Sequence, residues 1–94
     1  MDEKPILGDV DPSQVFRSCN GVVIRNIFEL ANYLEGCSEY DFRYHVNDDH
    51  HKNDFAIWVR EIVHDPQLAN ELDSTIDKGT YLRTIKARLK ELTR

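Results

Sequence analysis

The sequence predicts a mainly α-helical protein, a compact bundle of about four to five short helices with a small N-terminal β-hairpin. Three observations support this prediction. Apolar residues recur at three- and four-residue spacing behind several capping residues, which is the pattern of amphipathic helices. An Asn-Gly pair lies between two β-prone segments near the N-terminus. The length of 94 residues is enough for one domain and not for two.

The predicted hairpin opens the domain. Residues 15–18 and 22–25 flank Asn20-Gly21, and both residues of that pair tolerate the positive φ angles of a tight turn. Two strands alone are marginally stable, so we expect the hairpin to pack on helices. Residues 1–13 contain proline and glycine with little periodicity. We therefore interpret residues 1–13 as a flexible N-terminal arm and residues 14–94 as a single helical domain.

Two helices are predicted to follow the hairpin. Asn26 is the predicted N-cap of the first, with Glu29 as its capping-box partner, and Gly36 ends it. Its apolar stripe consists of Ile27, Leu30, Ala31 and Leu34. Ser38 is placed to cap the second helix. Residues 39–46 also alternate apolar and polar side chains as a strand does, but the cap at Ser38 favours a short helix.

The next predicted helix contains the only tryptophan, Trp58, and is capped by Asn53 or Asp54. Its stripe consists of Phe55, Trp58, Val59 and Ile62. At this spacing Trp58 is a core residue rather than part of an aromatic binding platform. The motif spacing also places His45 close to Asp54, and His45, Asn53, Asp54 and Trp58 are together the predicted structural motif of the domain.

Two more helices complete the prediction. Asp65-Pro66 marks a helix start, with the aspartate as N-cap and the proline at the first helical position. The stripe of the final helix consists of Tyr81, Ile85, Leu89 and Leu92. Its cations lie mostly off this stripe, so we expect them to remain in water; the candidate binding residues among them are Lys86, Arg88, Lys90 and Arg94.

The charge distribution is uneven. Residues 1–77 contain 16 acidic and 6 basic side chains, which gives −10, whereas residues 78–94 contain 6 basic and 1 acidic, which gives +5. An acidic body repels phosphate backbones at long range, but the basic final helix could contact a nucleic acid or an acidic partner. No segment approaches the about 20 apolar residues of a membrane helix. The acidic N-terminus and the two cysteines, which we expect to be free thiols, indicate a cytoplasmic protein.

No catalytic constellation is recognisable. The serines lie in cap or turn contexts and the glycines are isolated, so neither a nucleophile elbow nor a phosphate-binding loop is indicated. A loop between helices gathers His45, Asp48, Asp49, His50, His51 and Asp54. Imidazole and carboxylate suit zinc, manganese or iron, but most of these residues lie in one flexible loop. We therefore expect no cofactor and no enzymatic activity, and keep metal binding through the His45–His51 loop as an alternative.

The central motif resembles that of a family of small uncharacterised helical domains. It reads Y-H-V over residues 44–46, then N-D-F-A-x-W-V-x-E-I-V-x-D-x-x-L-A over residues 53–69. The segment from Cys19 to Ala31 is similar to the opening turn and first helix of the same family. The resemblance covers about residues 15–92 and does not include the His50-His51 pair. It implies a mostly helical module of archaea and bacteria, alone or appended to larger proteins that include carbohydrate-active enzymes, and supplies no catalytic residues.

Taken together, the patterns favour a non-enzymatic protein-interaction or regulatory module. The first alternative is a nucleic-acid- or ribosome-associated factor that uses the basic C-terminal helix. The second is metal binding through the histidine loop. A protein partner is the expectation that fits the small size and complete helical patterning best.

Overall fold

The computed structural model describes residues 7–47 and 52–93. Within them the chain forms five α-helices and two small antiparallel sheets. The elements in chain order are a 3₁₀ turn (Pro12–Gln14), β1 (Phe16–Arg17), β2 (Val23–Ile24), α1 (Ile27–Gly36), α2 (Glu39–His45), β3 (Val46–Asn47), β4 (Lys52–Asn53), α3 (Asp54–Trp58), a π turn (Val59–Val63), α4 (Pro66–Asp73) and α5 (Lys78–Leu92). The predicted helical fold with an N-terminal hairpin is confirmed.

The hairpin pairs β1 with β2, with Phe16 opposite Ile24. In its turn, the Gly21 N–H donates to the Ser18 carbonyl and Gly21 adopts a φ of 84°, a conformation that favours glycine. Asn20 does not share that conformation, since His64 is the only non-glycine residue with positive φ in the described part of the chain. Asn20 instead uses its Oδ1 to accept hydrogen bonds from Ser18 and Tyr33.

Helix α1 begins as predicted, because the Asn26 Oδ1 accepts the Glu29 N–H at 2.9 Å. The reciprocal half of the capping box is different. The Glu29 carboxylate accepts the Arg25 N–H at 2.8 Å and also binds the Arg25 guanidinium. In a capping box the carboxylate would accept the N–H of the N-cap residue, Asn26. Here it accepts the N–H of the residue before, Arg25, whose guanidinium it also binds.

Residues Glu39–His45 form a helix, as the cap at Ser38 predicted, and not the strand that their apolar–polar alternation also allowed. The Ser38 hydroxyl caps it by accepting the Asp41 N–H. Helical spacing buries Phe42 and leaves Tyr44 exposed, whereas a strand would have placed both on one face. Directly afterwards β3 pairs with β4, with Val46 opposite Asn53. This pairing was not predicted, since the sequence placed Val46 in the helix and a loop after it.

Asn53, not Asp54, is the N-cap of α3, since its Oδ1 accepts the Ala56 N–H. The helix continues into the π turn and ends at His64, which has a left-handed φ of 64°. Asp65 then caps α4, with Pro66 at the first helical position as predicted. The sequence contained no sign of the π turn, because its apolar spacing also fits a continuous α-helix.

One hydrophobic core joins all five helices and the hairpin. Helix α5 packs on α1 and α4, and α4 packs on α3. Of the predicted α5 stripe, Tyr81, Ile85 and Leu89 are buried and Leu92 is partly exposed. Trp58 is 6% exposed and donates its Nε1–H to the Gln14 carbonyl at 2.8 Å, so it ties α3 to the chain before the hairpin.

The predicted N-terminal arm lies partly outside the described residues. Within the described part, Val10 is buried in the core and its N–H donates to the Arg25 carbonyl at 2.9 Å. Asp11 caps the 3₁₀ turn that follows. The domain boundary at residue 13 stays a prediction, while these contacts attach the last residues before it to the hairpin.

Replacing Trp58 with alanine should lower the free energy of unfolding by about 3–5 kcal/mol, because a buried aromatic ring is lost and a cavity remains. Trp58→Phe keeps a ring and loses mainly the hydrogen bond to Gln14, so its cost should be nearer 1 kcal/mol. Urea unfolding followed by far-ultraviolet circular dichroism measures both. An alanine variant as stable as the wild type would show that Trp58 contributes nothing to the core.

Candidate functional site

The imidazole of His45 connects the hairpin turn to the start of α3. Its Nδ1 lies 2.9 Å from the Asp54 Oδ2, and its Nε2 accepts the Cys19 N–H at 2.9 Å. Because Nε2 acts as the acceptor, Nδ1 carries the hydrogen and donates a hydrogen bond to the Asp54 carboxylate. The predicted proximity of His45 and Asp54 is therefore confirmed.

The surroundings of His45 make it a packing residue rather than a reactive one. It is 4% exposed, and its ring lies about 5 Å from the rings of Phe16, Tyr44 and Phe55. Both ring nitrogens are engaged within the protein. A general base or a metal ligand needs a nitrogen lone pair directed at a substrate or an ion, and in this arrangement the available lone pair is directed at Cys19.

Asn53 joins three helices through one side-chain amide. Its Oδ1 accepts hydrogen bonds from the Ala56 N–H and from the Tyr81 hydroxyl, the latter at 2.6 Å. Its Nδ2 donates to the Leu72 carbonyl at 3.1 Å. The amide thus caps α3, satisfies a carbonyl at the end of α4 and holds the first half of α5.

A buried ion pair fixes α5 to the start of α4. The guanidinium of Arg88 binds both carboxylate oxygens of Asp65, at 2.8 and 3.2 Å, while the Asp65 Oδ1 also accepts the Leu68 N–H. The side chains of Arg88 and Asp65 are 14% and 1% exposed. The carboxylate raises the pKa of Arg88, chiefly through these hydrogen bonds.

The candidate cations of α5 are therefore not equivalent. Arg88 was expected to lie in water, and that expectation is wrong because Asp65 and the helix packing enclose it. Lys86 is exposed and pairs with Glu35 of α1. Lys90 is exposed and has no ion pair with any described residue. Arg94 lies outside the described residues, and a binding role for this group stays a prediction.

The histidine loop falls largely outside the described residues, which exclude positions 48–51. Over residues 7–47 and 52–93, no three His, Cys, Asp or Glu side chains are arranged to hold a metal ion. Cys19 and Cys37 are free thiols. Burial raises the pKa of the Cys37 thiol, which makes it a poorer nucleophile at neutral pH.

A groove runs along the outer side of α3. It has a volume of about 300 Å³ and is lined by Phe16, Asp54, Ile57, Trp58, Glu61 and Ile62. Apart from Phe16 these residues follow one another at positions i, i+3, i+4, i+7 and i+8, which share one side of a helix. Ile57 is 52% exposed, and Glu61 is exposed without a hydrogen bond or ion pair to any described residue.

The opposite side of the same segment is in the core. Phe55, Ala56, Val59 and Val63 are all fully buried. A surface helix normally carries one apolar side, and a helix that is apolar around its circumference is normally enclosed. Here the second apolar side, formed by Ile57, Trp58 and Ile62, faces the groove.

A larger groove, about 390 Å³, lies between the hairpin and α1. It is lined in part by Val22, Val23 and Tyr33, and its one charged side chain, Glu29, is already engaged. Asn20 binds Ser18 and Tyr33, and Glu29 binds Arg25. This groove therefore offers apolar surface without a free charge to orient a ligand.

A family model covers residues 14–93, nearly the whole described domain. The chain belongs to the DUF5752 family. This family is described as one of unknown function, so the DUF5752 relationship adds no known activity. No curated protein and no solved structure matches the chain. Among the described helices, none has the length and apolar character needed to cross a membrane.

Sequence reasoning missed two features of this region. The predicted stripe ran through Phe55, Trp58, Val59 and Ile62, and Ile57 lay off it. The signal was nevertheless present, since Ile57, Glu61 and Ile62 follow Asp54 at helical spacing. The pairing of Asp65 with Arg88 joins residues 23 apart, and nothing in the local pattern of either helix indicates it.

Replacing Arg88 with methionine should destabilise the protein by about 3 kcal/mol, because it leaves the buried Asp65 carboxylate without its cation. The change should cost much less in an Asp65→Asn background, where the cap at Leu68 remains and no charge is left unpaired. Lys90→Met, at an exposed position of the same helix, should fall within about 0.5 kcal/mol of the wild type. Equal costs for Arg88→Met in the two backgrounds would refute the ion pair.

Alkaline pH should destabilise the protein through its buried tyrosines. Burial raises the pKa of Tyr81 well above its ordinary value and that of Tyr33 to about 12. A raised pKa contributes stability that is complete below the unfolded value of about 10 and is lost as pH rises above it. The urea midpoint should therefore fall above about pH 10, and Tyr81→Phe should reduce that fall. Tyr40→Phe, at an exposed position, should behave as the wild type does.

Proposed function

We propose that the protein is a non-enzymatic protein-interaction module that binds a helical segment of a partner protein in the groove along α3. The observation that supports the proposal is the two-sided apolar character of α3: one side forms the core, and Ile57 on the other side is 52% exposed. Covering that second side would stabilise a complex by the same hydrophobic effect that covers the first. Burial of a side chain such as Ile57 contributes about 1.5–3 kcal/mol.

The location of the groove also supports the proposal. Trp58 forms part of its floor and is fixed from behind by its hydrogen bond to Gln14, while Phe16 contributes the other wall from β1. The groove is therefore built on a helix and a strand rather than on a loop. Preformed apolar pockets of this kind are where the strongest contacts of an interface concentrate.

The chemistry of the motif favours a structural use of its polar residues. His45, Asn53, Asp54 and Asp65 each bind groups within the protein, and these contacts position helices. These internal contacts support a module that acts by binding a partner at its surface.

The free thiols suit a reducing compartment, and we propose a cytoplasmic location on that ground. We also propose that the motif from Tyr44 to Ala69 is the signature of the family in archaea and bacteria.

The nucleic-acid alternative has fewer free cations to support it than the sequence predicted. Of its four candidate residues, Arg88 is committed to Asp65 and Lys86 to Glu35. Among these four residues, a contact with phosphate would have to use Lys90 or Arg94, or displace Glu35 from Lys86. Such binding would weaken steeply with added salt, which distinguishes it from docking into an apolar groove.

The proposal predicts that Ile57→Asp abolishes binding of the native partner while leaving the fold intact, because it places a charge on an exposed apolar anchor. Ile76→Asp is the matched control, since Ile76 is also exposed, at 41%, but lies outside the groove. The measurement begins with affinity purification of the full chain and its two variants from the native organism, followed by mass spectrometry.

A protein retained by the wild type and Ile76→Asp, but not by Ile57→Asp, is then purified and its affinity measured directly. A hot-spot anchor is worth about 2 kcal/mol or more, so the dissociation constant should rise at least about thirtyfold in Ile57→Asp. If every retained protein binds the three forms equally, the groove is not the docking site and the proposal is wrong.

A further inference from the structure

We infer that the segment held by the α3 groove is a cationic amphipathic helix, with apolar side chains that enter the groove and a lysine or arginine that pairs with Glu61. This inference rests on the proposed function, since it specifies the chemistry of the partner at the same groove. It follows from the spacing of the lining residues and from the sign of the charges beside them.

The lining residues give the groove a length suited to a helix. Asp54 and Glu61 are seven residues apart, which is about two helical turns or 10 Å along the axis. Ile57 and Trp58 lie between them, and Ile62 lies beside Glu61. The groove therefore has an apolar centre with one carboxylate toward each end. An amphipathic helix presents apolar anchors at three- and four-residue spacing, which matches such a groove.

The charges along the groove are all of one sign. Asp54 and Glu61 are its charged lining residues, and both are acidic. Asp54 is partly compensated, since its Oδ2 lies 2.9 Å from His45 and 3.5 Å from the Lys52 ammonium. Glu61 has no such partner in the described part of the chain. A cation on the bound segment would complete that pairing, whereas an acid there would face an uncompensated carboxylate.

The net negative charge of the chain also favours a cationic partner segment. The chain has a formal net charge of −5, with −10 in residues 1–77 and +5 in residues 78–94. Complementary charge speeds association and rejects partners of the wrong sign more than it adds to affinity. A basic segment is therefore steered to this surface, while an acidic segment or a phosphate backbone is repelled from it.

A second copy of the chain fits the groove poorly. Its cationic element is α5, whose exposed described residues between Thr80 and Glu91 are Arg83, Lys86, Ala87, Lys90 and Glu91. Ala87 is the one apolar residue in that set. A helix face of this composition has charges but lacks the large apolar anchors that the groove would receive, so the occupant is a different polypeptide.

The test is a selection of displayed helical peptides on the immobilised full chain. Peptides of about 15 residues, or about four helical turns, are selected in parallel on the wild type and on Glu61→Lys, Ile57→Asp and Glu71→Lys. Glu71 is an exposed acid of α4 outside the groove and serves as the charge control. The best peptide from the wild-type pool is synthesised, and its affinity is followed through the fluorescence of Trp58, the only tryptophan.

The wild type and Glu71→Lys should enrich peptides with apolar residues at helical spacing flanked by lysine or arginine. Glu61→Lys should instead enrich acidic flanks, and it should weaken the best cationic peptide by about tenfold, since an attraction becomes a repulsion. Ile57→Asp should lose binding of that peptide. This combination of results supports the inference.

Other outcomes separate the inference from the proposed function. Apolar peptides enriched without a charge preference, or an affinity unchanged by Glu61→Lys, would overturn the cationic partner while the groove remained a docking site. Enrichment of acidic peptides on the wild type would overturn it as well. A pool from Ile57→Asp identical to that from the wild type would overturn both the inference and the groove.

Discussion

The side-chain amide of Asn53 is the constraint on which the arrangement of the helices depends. It caps α3 at Ala56, accepts the Tyr81 hydroxyl of α5 and donates to the Leu72 carbonyl of α4. The Tyr81 hydroxyl is buried, and leaving a buried polar group without its partner costs about 1–3 kcal/mol. Three helices are thus held in one relative orientation by a residue that aspartate could not replace, because a carboxylate cannot donate to Leu72.

The helix boundaries were predictable because their causes are local. Asn26, Ser38 and Asp65 each accept a backbone N–H three residues ahead, and such spacing can be read directly from a sequence. The choice between Asn53 and Asp54 as the cap of α3 could not be made in this way. Both residues can accept an N–H, and the decision depends on distant groups that occupy their other atoms, Leu72 and Tyr81 for Asn53 and His45 for Asp54.

The candidate site was predictable in part for the same reason. The central motif could be found and Trp58 placed in the core, because apolar residues at helical spacing indicate the buried side of a helix. The partners of Arg88 could not be found, since a guanidinium on a helix looks the same in sequence whether it meets water or a buried carboxylate. Nor could the exposure of Ile57 be predicted. An apolar residue off the main stripe indicates a second contact, but not whether the protein itself supplies it.

The π turn after α3 continues both apolar sides of that helix. A π turn holds more residues than the 3.6 of an α-helical turn, so residues beyond Val59 are rotated relative to a continuous α-helix. Val63 is nevertheless buried in the core, as helical spacing from Phe55 and Val59 gives, and Ile62 lines the groove beside Glu61. Turns of this kind are rare and occur often at functional sites. The core side and the groove side therefore both continue through the irregularity, and the apolar surface that we propose as a docking site extends from α3 to Ile62.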